Sequence, residues 1–146
     1  MKSIELLAPA KDLQAAVAAV DYGADALYIG GARFGARHAA GNSAEEIARA
    51  VEYAHQYGVR VHATLNTLLY DGELAEAERQ ARELIAAGVD ALIVADLGAF
   101  TMAGKYAPRC ERHISTQASI CNYETARAWH YLGACLLYTS DAADEL

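Results

Sequence analysis

Two stretches of this sequence carry the same alternation of groups able to hold a polar molecule. Arg60, His62, Thr64 and Asn66 alternate with Val59, Val61, Ala63 and Leu65, and His113, Ser115 and Gln117 repeat the order imidazole, hydroxyl, amide. Residues two apart on a strand share a face. The apolar set therefore predicts a face packed on helices, and the polar set a face turned the other way. Hydroxyls and amides donate and accept hydrogen bonds without net charge, which suits orienting a polar ligand. The same residues could instead form a hydrogen-bonded layer filling a core. We expect that core role for His62 and His113, deeper along the strands, and a binding role for Asn66 and Gln117 at the strand ends.

Other residues offer weaker chemistry. The connection from Gly31 to Asn42 is long and holds Arg33, Arg37, His38 and three glycines. Long loops are often binding loops, and a guanidinium fork matches carboxylate or phosphate; two solvated surface arginines are the alternative. Asp96, just before Leu97-Gly98, could be a base, an orienting group or a helix cap, the last being the commonest role there. The serine elbow GxSxG is absent, as are HExxH and the P-loop. No carboxylate pair stands out for acid-base work. Cys110 and Cys121 read as buried, inert thiols, with a thiolate role for Cys121, past the fifth strand's exit, as the alternative. Trp129, Tyr131 and most other tyrosines lie in or beside helical stretches and are expected to pack there.

The elements that must position these groups repeat. Gly23-Ala24-Asp25-Ala26-Leu27-Tyr28-Ile29 matches Gly88-Val89-Asp90-Ala91-Leu92-Ile93-Val94, Gly58-Val59-Arg60-Val61 repeats the junction more loosely, and Leu132-Gly133 ends a fourth stretch. Glycine closes a helix in the left-handed conformation and a buried strand follows. Helical periodicity marks Leu13, Ala16, Val17 and Val20; Ile47, Val51 and Ala54; and Leu74, Ala77, Ala81, Leu84 and Ile85. Asp12 is a plausible cap, and Ser43 with Glu46 is a capping box. Strands are predicted near 4–8, 26–30, 59–65, 91–95 and 111–115, and helices near 12–22, 43–57, 73–87, 98–106 and 122–132.

Alternating strands and helices imply an α/β fold with parallel pairing. An open doubly wound sheet and part of a barrel both fit. Gly30-Gly31-Ala32-Arg33-Phe34-Gly35 is not the dinucleotide fingerprint GxGxxG. The regular units favour a partial TIM-type (β/α) barrel, about five strand-helix units of eight, with its site at the strands' carboxyl ends.

Composition agrees with a globular domain: 146 residues, 54% apolar, 21% charged, net charge -7. That excludes a disordered or collagen-like chain. No apolar run reaches the roughly 18 residues of a membrane span, and no secretory signal pattern opens the chain, so a cytoplasmic location is expected. The three cysteines, odd in number and without CxxC spacing, do not suggest a disulfide framework or a zinc knuckle.

The final stretch, Cys135-Leu136-Leu137-Tyr138-Thr139-Ser140-Asp141-Ala142-Ala143-Asp144-Glu145, resembles a translated sequencing-library adapter. The division expected is thus a barrel portion, 1–134, and an adapter-derived tail, 135–146, with a real strand at Leu136-Leu137-Tyr138 as the alternative. The tail holds Asp141, Asp144 and Glu145 and no Lys or Arg, which leaves -4 on residues 1–134. An N-terminal fragment of a longer protein is the expectation.

Several strings in collinear order resemble peptidase family U32, the collagenase-like proteases. They are Glu5-Leu6-Leu7-Ala8-Pro9-Ala10 with Asp12-Leu13, Tyr22 to Gly31, Val51-Glu52-Tyr53-Ala54-His55, Thr64-Leu65-Asn66, Gly88 to Val94, His113-Ile114-Ser115-Thr116-Gln117-Ala118 and Asn122-Tyr123-Glu124-Thr125. Lys11 stands where the family usually has Gly, and Leu97 where it usually has Pro. The resemblance implies a barrel-type domain. It also implies relatives that hydroxylate tRNA uridine or ribosomal RNA cytidine without oxygen, or act in ubiquinone synthesis. Several of those carry a [4Fe-4S] cluster on four cysteines that Cys110 and Cys121 do not match, so no cofactor is expected within this stretch. The RNA enzymes depend on prephenate, making RNA and a small anionic ligand the implied partners. Carried over by position, the site candidates are Pro9, Arg37, Asn66, Asp96, Ser115, Gln117 and Asn122, with Arg37 expected to hold an anionic group and Asn66 and Gln117 a planar polar ring. Three functions follow: an RNA hydroxylase domain, a peptidase, or a non-catalytic scaffold portion inactive alone.

Overall fold

A computed structural model describes residues 4–35 and 41–139. The elements run β1 (Leu7–Ala10), α1 (Leu13–Asp21), β2 (Ala26–Gly30), α2 (Ala44–Gln56), β3 (Arg60–Leu65), α3 (Leu74–Ala86), β4 (Ala91–Val94), α4 (Leu97–Tyr106), β5 (Glu111–Ile114), α5 (Tyr123–Tyr131) and β6 (Leu136–Leu137). All strands are parallel in one sheet, ordered β1-β2-β3-β4-β5-β6. That order decides between the two arrangements. Right-handed crossovers between successive neighbours put every helix on one face, whereas an open doubly wound sheet must reverse its order to cover both. The sheet is the wall of a partial TIM-type barrel, and its uncovered face is the lumen.

The outward face makes the core. Leu27, Ile29, Val61, Ala63, Leu65, Leu92, Val94 and Ile114 are buried against Ile47, Val51, Leu84 and Phe100 of the helices. Phe100 meets Trp129 edge to face, centroids 5.2 Å apart. The capping expectations hold: Asp12 accepts from Ala15 N, and Ser43 and Glu46 form a reciprocal capping box.

The Gly-x-Asp repeat has a physical cause beyond its glycines, Gly23 and Gly88, which both adopt φ 91°. The Asp25 carboxylate accepts from Leu6 N at 2.7 Å, and Asp90 accepts from Val61 N at 2.7 Å. Each aspartate serves an N–H at the start of the preceding strand that the ladder leaves unpaired, a group that would be costly to leave without a partner.

Two expectations need correction, the start of β1 and the packing of the tyrosines. β1 lies at Leu7–Ala10 rather than near 4–8; Ile4 and Leu6 are exposed, and Pro9, which lacks an N–H, is tolerated because β1 pairs on one side only. Residues 136–137 pair with β5 as a sixth strand beyond the five expected. Tyr22, Tyr57, Tyr70, Tyr123 and Tyr131 are exposed rather than packed.

Candidate functional site

The strand ends on the lumen side enclose a cavity of about 480 Å³. Pro9 from β1, Asn66 after β3, and Ser115 and Gln117 after β5 line it, with Lys11, Tyr28, Gly30, Thr64, Ile93, Thr116 and Tyr138 among their neighbours. The alternation on β3 and β5 is what brings them there: Thr64 and Asn66 follow His62 upward, and Ser115 follows His113. The two mouths are joined across β4, where Asn66 Nδ2 donates to Ser115 Oγ at 3.2 Å. Ser115 Oγ also accepts from Gln117 N at 3.3 Å and turns the chain into a short 3₁₀ turn, Thr116–Ala118.

Two candidates stand elsewhere. Asp96 caps α4, accepting from Ala99 N at 2.9 Å, and Asn122 caps α5, accepting from Thr125 N at 2.9 Å. Neither lines the cavity. Arg37 lies outside the described residues. Arg33, the other loop arginine, is engaged by Glu76 and lies over the Phe34 ring.

The loop's two stems are pinned by buried amides that sequence reasoning did not single out. Gln80 of α3 accepts from Arg33 N at 3.1 Å and donates back to Arg33 O. Asn42 Nδ2 donates to Lys11 O at 2.9 Å and Gly30 O at 2.8 Å, tying together two strand exits that line the cavity. An amide in a polar loop gives no sequence signal of burial; only its 5% exposure does.

Beneath the cavity lies the expected buried layer. His62 and His113 are fully enclosed, their rings edge to face at 4.8 Å. They meet across β4, where His62 pairs with Ala91 and His113 with Ile93, one step further along the strand. Alternate strands supply one layer of a barrel interior, which is why β3 and β5 share it. Burial, reinforced by the nearby His113 and Arg60, lowers the His62 pKa to about 4. Glu111 bonds His113 Nε2 at 2.9 Å and Arg60 at 2.8 Å, and the arginine holds its carboxyl below the ordinary range.

The cysteines do not converge. Cys110, before β5, faces backbone carbonyls and is pushed up to about 11 by burial. Cys135 stands before β6, and Cys121 beyond the exit of β5, so they lie at opposite ends of the strands. Among the described residues no group of three His, Cys, Asp or Glu could hold a metal ion, and these thiols do not fit an iron-sulfur cluster. No described helix is long and apolar enough to cross a membrane.

Sequential parallel strands with a polar rim define this chain as a (β/α)-barrel protein of the TIM type. A sequence model of peptidase family U32 matches residues 11–138, and the chain belongs to that family. It is 48% identical over 124 residues to the 23S rRNA 5-hydroxycytidine C2501 synthase of Escherichia coli, covering 85% of this chain and 18% of that protein. To tRNA hydroxylation protein P1 of Bacillus subtilis it is 40% identical over 129 residues, covering 88% and 31%. A collagenase of Porphyromonas gingivalis is 30% identical over 129 residues, covering 87% and 31%. The chain thus spans a fifth to a third of the length of these relatives. The solved U32 peptidase Mk0906 shares the fold, with TM-score 0.71 at 17% identity over 97% of this chain and 62% of that one.

Proposed function

We propose that residues 1–134 are the ligand-binding part of an enzyme that hydroxylates a pyrimidine of tRNA or ribosomal RNA in the cytoplasm, and that residues 135–146 are adapter-derived. The observation that carries this reading is the convergence of Asn66, Ser115, Gln117 and Lys11 on one cavity. Asn66 and Ser115 are fixed by their mutual hydrogen bond, the Gln117 amide is exposed beside them, and Lys11 brings a cation to the lining. That set suits a small polar ligand bearing an anionic group, such as prephenate. The relatives named for RNA hydroxylation support the reaction class. A peptidase role finds less support: Ser115 Oγ bonds an amide and a backbone N–H, and among the described residues no imidazole bonds it to take its proton.

The test is to recover the complete natural reading frame and express it in a strain lacking its own RNA hydroxylases. Mass spectrometry of digested RNA is expected to show a pyrimidine nucleoside heavier by one oxygen, and Asn66→Ala or Gln117→Ala to remove it. Unmodified RNA together with cleavage of a protein substrate by the purified enzyme would favour the peptidase instead.

A further inference from the structure

The floor of the cavity is the Tyr138 side chain, whose hydroxyl lies 3.2 Å from His113 Nδ1 and 3.5 Å from His62 Nδ1. Donor counting sets the direction of each bond. Glu111, ionised beside Arg60, only accepts, so His113 Nε2 carries the proton and His113 Nδ1 is left as an acceptor. Tyr138 O–H donates to that nitrogen. The phenol oxygen then accepts from His62 Nδ1–H. His62 Nε2 remains a buried lone pair with no hydrogen-bond partner.

One imidazole therefore accepts and the other donates, at a single point between two strands. A hydroxyl matches that pair because it does both. A carboxylate offers no proton to His113 Nδ1, and an ammonium offers no lone pair to His62. We propose that His62 and His113 form a seat for one hydroxyl group beneath the barrel mouth, filled here by Tyr138 and taken in the natural protein by the hydroxyl of a small ligand entering from the cavity. The ligand's part in this rests on the reading of residues 135–146 given above; the seat itself does not.

The experiment uses this chain with ¹⁵N-labelled histidine and long-range proton-nitrogen spectra. His113 is expected as the Nε2–H tautomer and His62 as the Nδ1–H tautomer. Tyr138→Phe, which keeps the ring and removes the hydroxyl, is expected to shift both Nδ1 signals and leave His55 and His130 in place. In Tyr138→Gly, p-cresol is expected to return both signals saturably and to bind at least about tenfold tighter than toluene. Either Nδ1 signal unmoved in Tyr138→Phe, or toluene acting as well as p-cresol, overturns the seat. If the glycine variant does not fold, the phenylalanine variant decides alone. No RNA enters this experiment, so its failure leaves the proposed reaction standing, and failure of the RNA assay leaves the seat standing.

Discussion

Gly104 of α4 stands where any side chain would strike Arg112 of β5: a Cβ there would lie 2.7 Å from the guanidinium carbon. The guanidinium sits over the Phe100 ring at 4.1 Å and donates to Phe100 O at 3.2 Å. Glycine inside a helix costs roughly 1 kcal/mol relative to alanine, so Gly104→Ala would ordinarily stabilise. Here the guanidinium must leave Phe100 O to make room, which is expected to turn that gain into a loss of about 1 kcal/mol, read from urea unfolding. In an Arg112→Met background the sign should reverse, with a gain below about 1 kcal/mol. A stabilising Gly104→Ala in the parent chain would show that the Arg112 guanidinium is not held against α4.

The buried histidine gives the chain a pH dependence. His62 has a folded pKa of about 4 against 6.5 ordinarily. Between those values the unfolded chain binds the proton and the folded chain does not, so stability falls as pH falls through that window. The loss reaches about 3 kcal/mol by pH 4. Glu111 adds its own loss only below the ordinary carboxylate range, because its pKa is lowered. Urea unfolding at pH 7, 5.5 and 4.5 should show the slope, and His62→Gln should flatten it above pH 4.5. An equal slope in both proteins would remove His62 as its source.

Much of this barrel is legible in the residues. Asp25 and Asp90 mark strand starts because each serves a neighbour's free N–H, and glycines before them close helices, so the repeat announces the unit. Period-two alternation carried past β3 and β5 places Asn66 and Ser115 at the mouth, whereas Gln117 arrives there through the 3₁₀ turn that Ser115 starts, which alternation does not describe. What alternation cannot distinguish is a polar residue that faces a ligand from one that ends a helix. Asp96 and Asn122 stand at strand exits in sequence, yet both are spent on caps. Asn42 and Gln80 were invisible for the opposite reason: their partners are backbone atoms far along the chain. β1 starts later than the apolar pattern because Ile4 and Leu6 continue that pattern while standing exposed, outside the ladder.

The Gln80 amide mimics a strand neighbour, bonding both the N–H and the C=O of Arg33. Removing it leaves two backbone groups of a partly buried loop without partners. Gln80→Leu is therefore expected to cost about 2–3 kcal/mol, and Gln80→Glu, which keeps the acceptor, less. Amide hydrogen exchange at Arg33 supplies the local reading: it should quicken in Gln80→Leu more than exchange at Val61 in the β3 core. Uniform quickening across the chain would mean that Gln80 serves only general packing.

The cysteines separate by environment, and alkylation should report it. Cys110 is half-buried beside backbone carbonyls with its pKa raised to about 11, whereas Cys121 and Cys135 are exposed. The thiolate is the attacking species, and a pKa of 11 leaves roughly one Cys110 in a thousand ionised at pH 8. Iodoacetamide on the native chain is expected to modify Cys121 and Cys135 first and to reach Cys110 only slowly, by peptide mass spectrometry over time. In urea the three should react at similar rates, since unfolding returns Cys110 to water. Native Cys110 reacting as fast as the other two would place its thiol in solvent.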